Sequence, residues 1–205
     1  MKGISPRFSA PLDVPRPRGG RLIEGFSPKL GRLVRLFDHA VVAQWIALEA
    51  DSLVTAFCER PSRVDDKSDS RVIDFWVQRG ERQEMLLLDD CQAHPDLTGT
   101  RVHGIELRVV PPAELAADAI WVANWQRMLP VITASRCLQR DALVPSVVKL
   151  VTVPMPLSRI EREFAGSDIG VVRGAIFEAV RTGRLGSSAL RTQPLSLHIM
   201  LEPGP

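Results

Sequence analysis

The sequence predicts an α/β fold: a mixed β-sheet flanked by helices, with a small, mainly helical module appended at the C-terminal end. Two observations carry this. The central stretch reads helix, strand, hairpin, strand, helix, and a proline-rich joint near Pro145, Pro154 and Pro156 then separates two short helices and a strand.

The elements follow in order. Residues 1–31 hold Pro6, Pro11, Pro15, Pro17 and Pro28 with several glycines, which predicts a flexible or extended basic arm rather than a packed element. The apolar run LVRLFDHAVVAQWIALEA predicts a helix from Arg32 to Ala50 that buries Leu36, Val41, Trp45 and Leu48. SLVTAFCERP (52–61) predicts a strand with Leu53, Thr55 and Phe57 on one side, and 62–70 a polar loop. RVIDFWVQ (71–78) and QEMLLLDDC (83–91) flank RGER and read as a hairpin. HGIELRVVP (103–111) reads as a strand, and a helix starts near Ala113, where a double proline suits its first turn. These elements make residues 32–144 one domain and 145–205 a second. In the second, 157–166 and 168–186 read as helices, with Ser167 or Asp168 as a cap, and PLSLHIMLEP (194–203) as a strand. Two helices and a strand after the joint suggest a helix-turn-helix or winged-helix-like module.

Composition narrows the class. The 205 residues are 45% hydrophobic and 24% charged, ordinary for a globular chain with a real core. No apolar run is long enough to span a membrane, and the N-terminus lacks the apolar centre of a signal peptide. Cys58, Cys91 and Cys137 are scattered and odd in number, as expected of reduced cysteines in a cytoplasmic protein. The net charge of +2 conceals an asymmetry. Residues 1–36 carry eight basic side chains against two acidic ones, whereas 37–144 carry 11 against 17. The arm, with Arg16, Arg18, Arg21 and Lys29, and Arg32 just beyond it, suits a nucleic-acid backbone or, equally, a solvated tail. Arginine outnumbers lysine 22 to 4, which fits a high-GC bacterial coding bias as well as phosphate binding.

The hairpin holds the most chemistry. A turn centred on Gly80 and Glu81 pairs positions whose numbers sum to about 161. Asp74 then faces Leu87, and Asp89 shares that face because side chains two apart on a strand point the same way.

With GFSPKLGRLVRLFDHAVVAQWIALEADSLVTAFCERP and IDFWV in view, the chain resembles the N-terminal domain of TnsA-type endonucleases, the nuclease subunits of heteromeric transposases. The family pattern runs Ser-x-Lys-x-Gly-Arg, Glu-Ser-x-x-Glu opening a helix, Leu-Glu-x-Asp, Gln-Pro, Pro-Asp-Phe and Glu-Val-Lys. Order and spacing match over residues 25–90, and NWQRMLP (124–130) and GRLGSSALRTQPLSLHIML look like the family's downstream portions. The resemblance implies a restriction-endonuclease-like fold, Mg²⁺ when active, cutting of 5′ strands at transposon ends, a DDE-type transposase partner and an ATPase regulator.

The departures fall on the catalytic positions. Glu-Ser-x-x-Glu aligns with Asp38-His39-Ala40-Val41-Val42, Gln-Pro with Arg60-Pro61, and Pro-Asp-Phe with Ile73-Asp74-Phe75. Leu87 stands where the glutamate belongs and Asp89 where the lysine belongs. Leucine offers no oxygen to a hard cation, and an aspartate reverses the charge that would steady a developing anion. Three readings follow. The first is a TnsA-like DNA-binding protein with an eroded nuclease centre. The second is an active nuclease using Asp38, Asp74 and Asp89 as carboxylate ligands, with Asp90 or Glu84 nearby and Lys149 or an arginine supplying positive charge. The third is a non-catalytic scaffold.

Other candidates are weaker. His39, His94, His103 and His198 lack metal-ligand spacing, and the serines and cysteines lack a paired base. Trp45, Trp76, Trp121 and Trp125 fall inside elements and read as core. In the C-terminal module Arg173, Arg181 and Arg184 are candidates for DNA phosphate, although Glu161, Glu163 and Glu178 lie among them.

Overall fold

A computed structural model describes residues 7–67, 69–89, 97, 99–138 and 142–204. The chain divides into two compact units, Met1–Leu48 with Leu53–Ala117 and Glu49–Ser52 with Asp118–Pro205. Apart from Glu49–Ser52, the second unit runs from Asp118, whereas the prolines suggest a joint near 145.

The first unit is α/β. A hairpin of β1 (Ile23–Ser27) and β2 (Arg32–Leu36) leads into α1 (His39–Ala50). The main sheet has five strands in the order β3 (Val54–Glu59), β4 (Phe75–Arg79), β5 (Arg82–Leu88), β7 (Ile105–Val110), β6 (Arg101–Val102). It is mixed: β3, β4 and β5 run antiparallel, and β7 lies parallel to β5. Strand β5 is therefore central, and Met85 through Leu88 are all buried. A short helix, α2 (Pro112–Ala117), closes the unit.

Two expectations near the N-terminus change. The helix predicted from Arg32 is a strand as far as Leu36. Its first five residues alternate, with Val34 and Leu36 buried and Leu33 and Arg35 exposed, a period of two hidden in a longer apolar run. The arm is anchored rather than loose. Arg7 donates to the His103 carbonyl at 2.7 Å, Phe8 packs on Trp76, and Leu12 N–H donates to the Arg60 carbonyl at 2.8 Å. Its last residues pair in β1, where Gly25 is needed for packing: a Cβ there would meet the Trp45 ring at 2.4 Å. In β3 a bulge between Val54 and Ala56 breaks the predicted alternation, leaving Leu53 and Thr55 exposed while Phe57 is buried.

The second unit is mostly helical: α3 (Ala119–Ser135), α4 (Leu143–Leu150), α5 (Leu157–Glu163) and α6 (Ile169–Arg181). Its sheet orders β8 (Met155–Pro156), β10 (Met200–Pro203) and β9 (Leu185–Gly186). The predicted linker over 143–156 is largely α4, because Pro145 sits in its first turn, where a proline removes no intrahelical hydrogen bond. Asp168 caps α6, its carboxylate accepting from Val171 N–H at 3.0 Å. Buried Asn124 ties down the following loop, donating to the Leu190 and Gln193 carbonyls and accepting from Leu195 N–H.

Candidate nucleic-acid interface

The predicted hairpin register holds. Phe75 pairs with Leu86 and Arg79 with Arg82 across the Gly80-Glu81 turn, so Asp74 faces Leu87. The two side chains have opposite surroundings. Leu87 is 1% exposed and belongs to an apolar cluster with Cys58, Ile73, Trp76, Met85, Val102, Ile105 and Leu107. Asp74 lies at the strand's entrance, half-buried, and its Oδ2 accepts from Leu88 N–H at 2.7 Å. The place where the TnsA resemblance would put a second carboxylate is thus a closed apolar contact.

One cleft of about 690 Å³ in the first unit brings the three predicted acids together: Asp38, Asp74 and Asp89 all line it. Each is set by local structure. Asp38 caps α1, its Oδ1 accepting from Ala40 N–H at 2.6 Å, which satisfies one of the donors a helix start leaves open. Asp74 braces the end of β5. Asp89 follows β5, its N–H donating to the Val110 carbonyl at 3.0 Å.

The donor set does not fit Mg²⁺ well. Leu87 supplies no oxygen, and Asp38 and Asp74 each direct a carboxylate oxygen to a backbone N–H. Among the described residues, no group of three or more His, Cys, Asp or Glu side chains is placed to share an ion. Glu84 faces the other side of the hairpin, opposite Val77, and pairs with Arg79 and Arg108. Lys149 lies in the second unit, and Asp90 falls outside the described residues.

The same cleft holds three arginines that no sequence motif marks as a site, Arg60, Arg63 and Arg71, together with Arg18 from the arm. Arg71 donates to the Leu88 carbonyl at 2.7 Å and Arg63 to the Ser70 carbonyl. Arg60 donates to the Arg35 carbonyl and stacks over the Phe37 ring, 5.1 Å from its centre. Burial lowers the Arg60 guanidinium from its ordinary pKa, while neighbouring Glu59 acts in the opposite direction. Glu59 also lines the cleft, but it is 1% exposed and gripped bidentately by Arg32 at 2.6 and 2.7 Å. That hydrogen bond, outweighing burial, raises the pKa of Arg32. The four cleft arginines lie scattered over residues 18–71, each beside a turn or strand end. Only their placement in the folded chain groups them.

The predicted basic residues divide sharply. Arg16, Arg18 and Arg21 are exposed, as is Arg184. Lys29 donates to the Leu48 carbonyl at 2.8 Å and Arg32 clamps Glu59, so both tie the fold together. In the second unit Arg173 is forked onto Glu161 and Arg181 onto Glu178, so both charges are already paired within the fold.

A scan against protein-family models finds no match, and a search of curated proteins finds none either. Among the described residues, no helix is long and apolar enough to cross a membrane.

Proposed function

We propose that this chain is a TnsA-like DNA-binding protein whose nuclease centre is eroded. The observation that carries the reading is the contrast inside the hairpin: Asp74 keeps its place on the cleft while Leu87, opposite it, is sealed into the apolar cluster. Around Asp74 the cleft mixes acids with arginines, a lining that engages phosphate without assembling the oxygen cage a metal-dependent nuclease requires. The motif order along residues 25–90 supports a restriction-endonuclease-like fold for the first unit. The mixed sheet, three antiparallel strands followed by a parallel one, is compatible with it. In the second unit, α5 and α6, with β8 before them and β9 and β10 after them in one three-stranded sheet, support the winged-helix-like reading.

On this reading the protein works in the cytoplasm at transposon ends beside a DDE-type transposase and an ATPase regulator. It contributes DNA and partner contacts rather than the cut. The test incubates pure protein with supercoiled plasmid and Mg²⁺ or Mn²⁺, alongside Asp74→Ala. Neither protein is expected to nick the plasmid, while both bind duplex DNA with an affinity that falls as salt rises. Cleavage by the wild type that disappears in Asp74→Ala would overturn the eroded-centre reading in favour of an active metal-dependent nuclease. Absence of DNA binding would leave a scaffold.

A further inference from the structure

Within the cleft, one arginine is built unlike the rest. Arg60 sits just after β3 with a left-handed backbone, φ +47°, which a non-glycine residue seldom adopts. Its N–H donates to the Asp74 carbonyl at 2.9 Å and its carbonyl accepts from Leu12 N–H. The guanidinium is fixed by the Arg35 carbonyl and the Phe37 face, yet its Nε is buried with no hydrogen-bond partner. Buried donors are nearly always paired, because an unmet one has given up its water with nothing in exchange. A strained, immobilised cation with an unmet donor beside a cleft is preorganised for an anion.

The arm supplies the second cation. Gly20 N–H donates to the Pro17 carbonyl at 3.0 Å, closing a tight turn over Pro17-Arg18-Gly19-Gly20. Gly19 takes φ +77°, the conformation that the third position of a type II turn demands. Gly20 approaches the backbone so closely that a Cβ would lie 3.1 Å from the Pro17 oxygen and 3.4 Å from that of Phe37. The turn therefore seats Arg18 on the cleft, although the segment reads in sequence as a flexible or extended arm.

We infer that Arg60 and Arg18 form a phosphate-binding subsite of this cleft, the arm's turn completing it. The cleft's acids argue for a single, directed phosphate contact rather than a broad basic surface. Arg18, Arg60, Arg63 and Arg71 face Asp38, Glu59, Asp74 and Asp89, and Glu59 is already neutralised by Arg32. Its volume lies within the roughly 300–1,000 Å³ of small-ligand sites, room for a nucleotide or two of one strand and not for a duplex. That the phosphate belongs to a nucleic-acid strand rests on the DNA reading above; the phosphate subsite itself does not.

The test uses the full chain, with fluorescence anisotropy on a labelled single-stranded oligonucleotide and on a blunt duplex, and thermal shift with inorganic phosphate. Arg18→Ala and Arg60→Lys are each expected to weaken single-strand binding about tenfold and to abolish the phosphate-induced rise in melting temperature. Arg82→Ala, at the exposed hairpin turn, should change neither. Wild-type behaviour in both cleft variants overturns the inference and leaves the DNA reading standing if strand and duplex still bind. A phosphate-induced shift that depends on Arg18, without binding of either nucleic acid, upholds the subsite and sinks the DNA reading. If wild type binds neither phosphate nor nucleic acid, both fall.

Discussion

The arginines of the first unit's cleft and those of α6 in the second carry the same signal in sequence, and the structure treats them in opposite ways. Arg60 and Arg63 are held through backbone carbonyls, and Arg60 also by an aromatic face, partners that position a guanidinium without cancelling its charge. Arg173 and Arg181 are forked onto Glu161 and Glu178, which consumes both charge and geometry. Counting arginines therefore says little about phosphate binding; the partner of each guanidinium decides it.

The largest effect tests the cleft's missing carboxylate. Leu87→Glu introduces the residue type that the TnsA resemblance implies at this position but puts a carboxylate into an apolar cluster. We expect a loss of at least about 3 kcal/mol in urea denaturation, and no plasmid cleavage. A stable Leu87→Glu variant that cuts DNA would show the cluster to be more open than the packing around Trp76 and Met85 indicates.

Arg32→Ala comes next. It strands Glu59, whose side chain is 2% exposed, and should cost about 3–5 kcal/mol in the same assay. Arg173→Ala, whose side chain is 39% exposed but whose partner Glu161 is 10% exposed, should cost about 1–3 kcal/mol and leave DNA affinity unchanged. An Arg173→Ala variant with weakened DNA binding but normal stability would erase the distinction between the two groups.

How much of this was legible in the sequence follows from range. The hairpin register was, because a two-residue turn fixes every later pair, and Asp168 as a cap was, because capping is local. Strand β2 was missed because its alternation runs straight into the helix, and the β3 bulge because one extra residue leaves no compositional mark. The three acids could be aligned by motif, but their common cleft with Arg18, Arg60, Arg63 and Arg71 joins residues 18 to 89, a distance no local pattern spans. In sequence Arg18 groups with Arg16 and Arg21 in a basic arm that suits a nucleic-acid backbone or, equally, a solvated tail. The glycines behind it read equally well as flexibility or as a specific turn.

A smaller effect concerns pH. Burial, reinforced by Glu59, pushes the Cys58 thiol from an ordinary 9.0 up to about 11. The folded state then holds a proton that the unfolded chain releases, so this contribution is complete below pH 9 and is lost as pH rises towards 11. Wild type should lose stability more steeply than Cys58→Ala across that window, as read by denaturation at fixed pH steps.

The most direct measurement is the salt dependence of single-stranded DNA affinity for wild type, an Arg18→Ala/Arg63→Ala pair and an Arg173→Ala/Arg181→Ala pair, each confirmed folded by circular dichroism. The account predicts that the cleft pair weakens binding and flattens the log–log salt slope by about 0.7–1.4, at roughly 0.7 for each phosphate no longer neutralised. The α6 pair should keep the wild-type slope. A flattened slope in the α6 pair with an unchanged one in the cleft pair would contradict it.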